Sequence, residues 1–345
     1  MRNPVVRFGG LVGWLILMAA AARPVAAQSF EAVGTRAQGM GGALVAVADD
    51  ATATWWNPAG LAGGPFLNAV VEYGQMREPA DPLPERAAMR NGTTGFALAM
   101  PALGVSYYRL RLSEMAPADS IGAAEPGRQD QGTAGHLLRS TVTSALGVTL
   151  GQSLGEHVVL ASTLRLVRAG VAVSTSVSGS DPLDQADDLS VPSETKGDLD
   201  LGVLIRFGGV TVGGAVKHVG EPEFGEDDEV SVVMKRQARA GIAIRTRGKT
   251  GVFDSLTGAV DVDLISTETW SGDVRRLALG GEAGILRGRV VVRGGLGTST
   301  IGEQDWDAST GASVALRSGL YIDGALTPGS GESRNGWSVS LRFSF

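Results

Sequence analysis

The chain has 345 residues, no cysteine, 50 glycines and a formal net charge of −6. The lack of cysteine excludes a disulfide framework, thiolate metal sites and a cysteine nucleophile, and the mild acidity argues against a nucleic-acid-binding protein. The mean hydropathy of +0.09 resembles that of a soluble protein, but it also fits a transmembrane β-barrel, in which only every second strand residue faces lipid.

Residues 1–27 have the pattern of a signal peptide. Arg2 and Arg7 form a basic start, residues 8–22 form an apolar run, and small residues precede a predicted cleavage after Ala27. The alternative is a membrane anchor, but the apolar run is shorter than the roughly 20 residues that a spanning helix needs. No later apolar stretch reaches that length, so we expect an exported chain that is either a soluble β-protein or a barrel.

Residues 28–64 form a second predicted unit, which is rich in glycine and alanine and lacks strand-like alternation. Asp49 or Asp50 is expected to cap a short helix, Asn57 to end it, and Pro58 to open a further helical turn. Close backbone approach or positive φ is possible at three glycines, which are Gly39, Gly41 and Gly42. We therefore predict that residues 28–64 form a compact segment, small enough to fit inside a narrow enclosure.

Residues 65–345 form the third predicted unit, an all-β, transmembrane antiparallel barrel of about fourteen strands. Short alternating runs, separated by glycine, proline and acidic clusters, have the period of two that is typical of half-buried strands. The predicted strands lie at 66–77, 92–101, 103–113, 138–151, 156–176, 197–207, 209–219, 230–246, 252–266, 273–286, 288–298, 305–317, 319–327 and 335–345.

The predicted connections alternate between long and short. The long ones lie near 78–91, 114–137, 177–196 and 220–229, and short turns such as 101–102 and 207–209 lie between them. Outer-membrane barrels have short periplasmic turns and longer outer loops, so we expect both termini on the periplasmic side. The loops near 177–196 and 220–229 are acidic, and we interpret their carboxylates as solvated surface rather than as a cation site.

The last strand alternates strictly and ends the chain on an aromatic residue. The residues expected to face lipid are Trp337, Val339, Leu341, Phe343 and Phe345, and those between them are expected to face the lumen. This ending resembles the C-terminal signal by which the barrel-assembly machinery recognises its clients, although Ser340 stands where the common form has glycine. We therefore predict that these five residues form an assembly signal.

Three arginines lie within predicted strands and help to assign the inner face. Arg109, Arg111 and Arg165 each lie between apolar neighbours. Because a charge is costly on the lipid face of a barrel and acceptable in a polar lumen, we expect all three to point inward.

Patterns of catalytic or cofactor chemistry are missing from the sequence. His136, His157 and His218 form no metal-binding pair, and the chain has neither a nucleophile elbow nor a phosphate-binding loop. Asp261 and Asp263 share one strand face, where a lumen-lining or solvated position explains them without catalysis. We predict a protein that is not an enzyme and that holds no metal and no cofactor.

Three runs in the N-terminal unit stand out. They are Arg36-Ala37-x-Gly39-Met40-Gly41-Gly42-Ala43, then Ala48-Asp49-Asp50-Ala51-x-Ala53, then Trp56-Asn57-Pro58-Ala59-Gly60-Leu61. Together they resemble the start of the FadL-type outer-membrane transporters, and most closely of their PorV/PorQ-like branch. The resemblance implies a fourteen-stranded barrel whose N-terminal segment folds into the lumen as a plug or hatch. The plug or gating residues would be Gly39, Met40, Gly41, Gly42, Asp49, Asp50, Trp56, Asn57, Pro58 and Ala59.

The resemblance also implies a function and a location. A FadL-type barrel would move small hydrophobic molecules, such as fatty acids, passively across the outer membrane of a Gram-negative-type bacterium. The alternative is a PorV-like accessory barrel of protein secretion, which binds exported proteins or a translocon. The predicted partners are outer-membrane lipid, the barrel-assembly machinery, and either a hydrophobic ligand or secretion-system proteins, with no nucleic acid.

Overall fold

The structure, a computed structural model, describes residues 25–26, 33–78, 88–117, 136–176, 181–225, 231–250, 252–269, 272–302, 306–329 and 334–345. Most of the predicted signal peptide lies outside these residues, as do residues 28–32 and large parts of the predicted connections, including the acidic run at 226–230. Among the described residues, no helix combines the length and apolar character needed to cross a membrane.

Fourteen strands, named β1 to β14 in chain order, form one closed barrel. Their bounds are Asn68–Glu78, Ala88–Met100, Leu103–Pro117, His136–Leu154, Val158–Thr175, Glu194–Phe207, Val210–Lys217, Gln237–Thr250, Phe253–Asp263, Arg276–Ile285, Val290–Ser299, Asp307–Arg317, Leu320–Thr327 and Asn335–Ser344. The fourteen predicted strands correspond one to one with these, so the predicted fold class is confirmed.

The barrel closes by pairing its last strand with its first. Every strand is antiparallel to its sequence neighbour, and β14 pairs antiparallel with β1, with Trp337 opposite Gln75 and Phe343 opposite Ala69. Beyond the strands, Phe345 and Leu67 exchange two backbone hydrogen bonds of 2.8 and 3.0 Å. Closure leaves no unpaired strand edge, which is what a spanning sheet requires in lipid.

The connections lie at the two ends of the barrel in the predicted alternation. Six short turns join β2–β3, β4–β5, β6–β7, β8–β9, β10–β11 and β12–β13, and the longer connections all lie at the opposite end. Four strands are longer than predicted, because β2 begins at Ala88, β3 continues to Pro117, β4 spans His136–Leu154 and β6 begins at Glu194. β8 is shorter and begins at Gln237, because Val232–Val233 pair with Glu223–Phe224 in a separate small sheet.

The two faces of the barrel wall differ sharply. Large apolar residues are exposed on the outward face of most strands, among them Val71, Phe96, Leu164, Ile244 and Leu326. Inward residues are buried and are mostly polar, charged or small. An apolar surface of this extent is typical of a lipid-facing barrel wall.

Within the part of the chain that the structure describes, short helices occur in two places. The N-terminal segment, which we define as residues 33–64, contains α1 (Thr35–Gly39), α2 (Ala53–Trp56) and a 3₁₀ helix at Pro58–Gly63. A third α-helix, α3 (Pro182–Asp187), lies in the connection between β5 and β6. Two further small strand pairs lie outside the barrel order: Val25–Ala26 with Val232–Val233, and Thr267–Thr269 with Gly272–Val274.

Candidate functional site: the N-terminal segment inside the barrel

The N-terminal segment lies within the barrel and is almost wholly buried. Met40, Leu44 and Trp56 have 0% exposure. Its backbone is held by inward side chains from opposite parts of the wall: Glu72 of β1 accepts from Gly34 and Thr35, and Asp261 of β9 accepts from Leu44 and Val45. The segment therefore fills the width of the lumen.

Glycines on the inner wall make room for this segment. A Cβ placed at Gly213 would lie 2.6 Å from Val45 O, and one at Gly280 would lie 2.6 Å from Met40 O. A Cβ at Gly295 would overlap the backbone of Met40 and Gly41. A Cβ at Gly311 would lie 3.1 Å from Gly39 Cα, whereas one at Gly104 or Gly202 would meet side chains of the segment. The wall and the segment thus meet backbone to backbone, which only glycine permits.

The predicted glycine run takes part in this close contact. Gly41 and Gly42 have φ of +66° and +91°, in the left-handed region that favours glycine. A Cβ at Gly39 would lie 3.1 Å from Gly311 Cα, and one at Gly41 would lie 2.7 Å from Leu296 N. These residues turn the chain where it touches β11 and β12.

Arg36 links two parts of the N-terminal segment to each other and to the barrel wall. Its Nη1 lies 2.6 Å from Asp49 Oδ1 and 3.1 Å from Asp50 Oδ2, and its Nε and Nη2 each donate at 2.9 Å to the Glu282 carboxylate. Such a bidentate pair is among the stronger charge-assisted contacts. Glu282 continues into a line of alternating charges along the wall, formed by Arg293, Asp323 and Arg342.

Asp49 carries charge instead of capping a helix. It accepts from Arg36 on one side and from Arg245 of β8 at 2.7 Å on the other. Burial alone would raise the pKa of the Asp49 carboxyl, but the two guanidinium groups outweigh that effect and hold the pKa well below its usual range. The carboxylate is therefore ionised at neutral pH.

The predicted helix cap is only partly correct. Asp50 Oδ1 accepts from Thr52 N at 2.9 Å, but α2 has Thr52 as its N-cap and no side-chain cap bond. Asp50 therefore closes a turn just before the helix through Oδ1. Its other oxygen, Oδ2, accepts from Arg36. The other predicted boundaries are confirmed: α2 ends at Trp56, and Pro58 occupies the first turn of the 3₁₀ helix.

Asn57 connects both helical turns to the wall. Its Nδ2 donates to Val45 O at 2.9 Å and to Val203 O of β6 at 3.0 Å, and its Oδ1 accepts from Ala59 N at 3.2 Å. Asn57, Pro58 and Ala59 are all buried. Both donor hydrogens and the acceptor oxygen of the Asn57 amide are therefore satisfied, each by a different part of the molecule.

Trp55, next to the predicted Trp56, has the more charged surroundings. Lys217 Nζ lies 3.1 Å from the Trp55 ring centroid, Arg165 Cζ lies 4.7 Å from it, and Tyr108 packs edge-on at 5.6 Å. Trp56 instead donates from Nε1 to Val33 O at 2.8 Å. Arg239 Cζ lies 5.7 Å from the Trp56 ring centroid, so both indoles meet cations, and Trp55 meets two at shorter distance. The sequence run predicted that this region matters, but it could not identify these cations.

Two of the three predicted inward arginines face the other way. Arg165 is buried and lies 2.6 Å from Asp200, as expected. Arg109 is exposed, because Tyr108 and Leu110 occupy the inner face, and Arg111 shares its outward side. The prediction failed because inward positions here are apolar, so the charges lie on the outer surface.

The prediction that the carboxylates of the connection near 177–196 are solvated surface is also partly wrong. Asp184 and Asp187 of α3 pair with the buried Arg90 at 2.7 and 2.5 Å. Asp187 also contacts Arg111 and Ser113, which point outward from β3. The helix therefore packs on the outer face of the barrel, at the end that carries the long connections, and its aspartates hold it there.

A buried cluster at the long-connection end was not anticipated. Asp198, Asp200 and His218 offer ligand atoms within 4.8 Å of one another, and His218 Nδ1 lies 2.6 Å from Asp198. Alternation in β6 places both aspartates on the inner face, but their proximity to His218 depends on the β7 pairing. Arg165 already balances the charge of Asp200, so the geometry does not call for a metal ion.

An apolar cluster occupies the lumen beside these charges. Phe224, Val232 and Met234, from the connection between β7 and β8, are buried against small and branched residues of the inner wall. Those wall residues are Ala145, Val167 and Ala169. The connection therefore folds into the barrel mouth, next to the Arg165–Trp55 contact.

The closing strand has the predicted faces. Trp337, Val339, Leu341, Phe343 and Phe345 are all exposed on the outer surface, and Trp337 and Phe345 contact Tyr73 and Phe343 at the two ends. Ser340 is buried and lies 3.5 Å from Asp323, so a polar lumen surrounds the position where glycine is common.

The fold and the filled lumen define the class: a closed, antiparallel, fourteen-stranded barrel that encloses its own N-terminal segment. No family model matches the chain, and no curated protein matches it in sequence. Solved barrels resemble it across nearly the whole length of both chains. The Ralstonia pickettii toluene transporter TbuX has a TM-score of 0.59 at 12% identity, covering 92% of this chain and 99% of that one.

Two further structures show the same fold. The CymD monoaromatic hydrocarbon channel has a TM-score of 0.60 at 13% identity, covering 91% of this chain and 97% of its own. A Pseudomonas aeruginosa FadL homologue has a TM-score of 0.56 at 12% identity, covering 91% and 98%. The chain thus shares the architecture of FadL-family barrels. None of these three structures is described as a member of the PorV/PorQ-like branch.

Proposed function

We propose that this protein is an outer-membrane channel through which small hydrophobic molecules pass passively, and that the N-terminal segment is the plug that closes it. The observation that carries the proposal is a closed barrel whose lumen is filled by its own N-terminal segment beside an apolar cluster. The shared architecture with hydrocarbon channels supports the same substrate class.

The apolar cluster is the proposed binding region. Most of the inner wall carries ion pairs, whereas Phe224, Val232 and Met234 meet an alanine- and valine-lined patch. An apolar region with few polar groups suits a small hydrophobic ligand. Trp55 lies close by, so movement of the segment would connect this region with the short-turn end of the barrel.

The orientation follows from the connections. Short turns are periplasmic in bacterial outer-membrane barrels, so the proposed arrangement places the short-turn end and both termini in the periplasm. The segment would then plug the barrel from the periplasmic side. Outer-membrane lipid surrounds the apolar band, and the barrel-assembly machinery recognises the closing strand.

Uptake of toluene at micromolar concentration tests the proposed transport. Cells that carry the protein should accumulate labelled toluene several-fold faster than cells without it. Met234→Asp should lose this gain, because it places a charge in the apolar cluster, whereas Val252→Asp at an exposed turn should keep it. Equal uptake with and without the protein, at equal amounts of folded barrel, would contradict a role in transport.

A second candidate is an accessory barrel for protein secretion. What favours it is the extent of the ionic contact around Arg36 and Asp49, which suits a segment that stays in place. In that case toluene uptake would not depend on the protein. Exported proteins or translocon components would instead co-purify with it in mild detergent.

A further inference from the structure

Two arginines lie on the outer surface of the barrel where an apolar residue would be expected. Arg109 of β3 lies between the buried Tyr108 and Leu110, and Arg168 of β5 lies between the buried Val167 and Ala169. Because side chains alternate along a strand, both guanidinium groups must leave the outer face of the wall. Both residues are exposed.

The two arginines are neighbours across the sheet. Arg109 pairs in register with Ser144 of β4, and Ser144 pairs with Arg168. Adjacent strands lie about 4.8 Å apart, so the two arginine backbones are separated by roughly 10 Å with one serine between them. We name Arg109, Ser144 and Arg168 the arginine row.

The arginine row marks the upper edge of the apolar band. The next outward row towards the short turns is Tyr107, Leu146 and Leu166, and the one after it is Val105, Val148 and Leu164. The four leucine and valine residues of β4 and β5 in these rows are 42–63% exposed. Apolar surface therefore begins directly below the row and continues towards the short-turn end.

Polar structure begins directly above the arginine row. Pro192 and Ser193 lie against Gly170 on the outer face of β5, and Arg168 Nε donates to Ser193 Oγ at 2.6 Å. Further round, α3 covers Arg111 and Ser113 of β3. The row thus lies at the boundary between the apolar band and the folded connection, and Ser193 holds one of its arginines in place.

Neither arginine is neutralised within the described part of the chain. Arg109 has no hydrogen bond or ion pair there, and the only side-chain partner of Arg168 is the Ser193 hydroxyl. The nearby acids Asp184 and Asp187 are engaged by Arg90. Two unpaired guanidinium groups at a membrane interface attract an anion, and their planar fork fits phosphate oxygens.

We propose that the arginine row binds the phosphate headgroup of a membrane lipid, whose acyl chains lie along Leu146 and Leu166. The lipid belongs to the leaflet at the long-connection end, which is the outer leaflet in the orientation proposed above. Arg109 and Arg168 contact the phosphate oxygens, and the Ser144 hydroxyl lies between them. This site on the outer wall is separate from the proposed channel.

Lipid retention measured by native mass spectrometry tests the site. The whole protein is purified in mild detergent and incubated with lipid A, or with lipid A from which the phosphates have been removed. Wild type should retain lipid A at least tenfold better than the dephosphorylated form. The Arg109→Gln/Arg168→Gln variant should lose that preference while its gel mobility still shifts on boiling.

A matched control removes two exposed arginines from the opposite end of the barrel, Arg289→Gln/Arg317→Gln, and should keep the preference. Equal retention by wild type and the double variant would overturn the proposal. So would displacement of the lipid by millimolar inorganic phosphate, which would indicate an anion site without lipid selectivity. A change in oligomeric state of the double variant would point instead to a second copy of the chain on this surface.

Discussion

Replacing Arg36 by glutamine should loosen the N-terminal segment while leaving the barrel intact. The Arg36 side chain is only 12% exposed and contacts Asp49, Asp50 and Glu282 at 2.6–3.1 Å. Removing one partner of a buried ion pair costs about 3–5 kcal/mol. The lower end applies here, because Glu282 keeps Arg293 and Asp49 keeps Arg245.

A loss of about 3 kcal/mol corresponds to roughly a hundredfold rise in the undocked population, at about 1.4 kcal/mol per tenfold. Amide hydrogen exchange of residues 33–64 measures this, because exchange follows local opening. We expect those amides to exchange about a hundredfold faster in the variant, with strand amides unchanged. Arg36→Lys should give an intermediate exchange rate, since lysine keeps the positive charge but lacks the planar guanidinium that pairs with a carboxylate through two hydrogen bonds.

The control is Arg236→Gln, which removes an exposed pair with Glu221 at 3.3 Å. An exposed pair contributes at most about 1 kcal/mol, so exchange of the segment should stay as in wild type. Unchanged exchange of residues 33–64 in Arg36→Gln would refute the claim that this junction holds the segment. Equally faster exchange of segment and strands would place the effect in the whole barrel.

Three further predictions concern the wall, the segment and the closing strand. Gly295→Ala should lower the thermal stability of the folded barrel, because its Cβ would overlap Met40 and Gly41, whereas the adjacent outward Gly294→Ala has open space and should not. Equal melting temperatures would contradict the backbone contact. Asn57→Asp should speed exchange of residues 33–64 by tenfold or more, since two carbonyl oxygens lose their donor at roughly 1–3 kcal/mol each, while the acceptor for Ala59 N remains. Wild-type exchange would argue against Asn57 as an anchor. Phe345→Ala should reduce the amount of heat-modifiable barrel in the outer membrane several-fold, whereas Phe207→Ala, equally exposed at another strand end, should not, and equal amounts would argue against an assembly signal.

The strands could be predicted because one simple rule governs them. In a closed barrel every strand has one lipid side and one lumen side, so the period of two persists from β1 to β14. The helical boundaries at Trp56 and Pro58 were predictable for a similar reason, since proline restricts the residue before it and fixes its own φ.

The contacts between the segment and the wall could not be predicted in this way. Arg36 meets Glu282, 246 residues further along the chain, only because nine strands of fixed register lie between them. Asp261 is likewise inward by alternation, but its role as acceptor for Leu44 and Val45 depends on the path of the segment. Sequence patterns predict the face of a residue and leave its partner across the lumen undetermined.

The orientation of Arg109 illustrates a limit of the alternation rule itself. The rule separates two sets of residues, and composition must then decide which set is inner. In β3 the inner set contains Tyr108 and Leu110, because these residues pack near Trp55. Apolar residues therefore occur on both faces there, and a rule that places charges in the lumen assigns the faces the wrong way round.

Tethering the N-terminal segment to the wall tests most directly whether this segment closes a channel. The chain has no cysteine, and Gln38 Nε2 donates to Thr327 Oγ1 at 3.1 Å, so a short, disulfide-containing cross-linker can join Gln38→Cys to Thr327→Cys. A matched pair within the wall, Thr310→Cys/Leu326→Cys, joins β12 to β13 without touching the segment. We expect toluene uptake to stop when the first pair is cross-linked, to recover on reduction of the disulfide, and to be unaffected by the second pair. Undiminished uptake with the segment fully tethered would show that the segment does not close the channel.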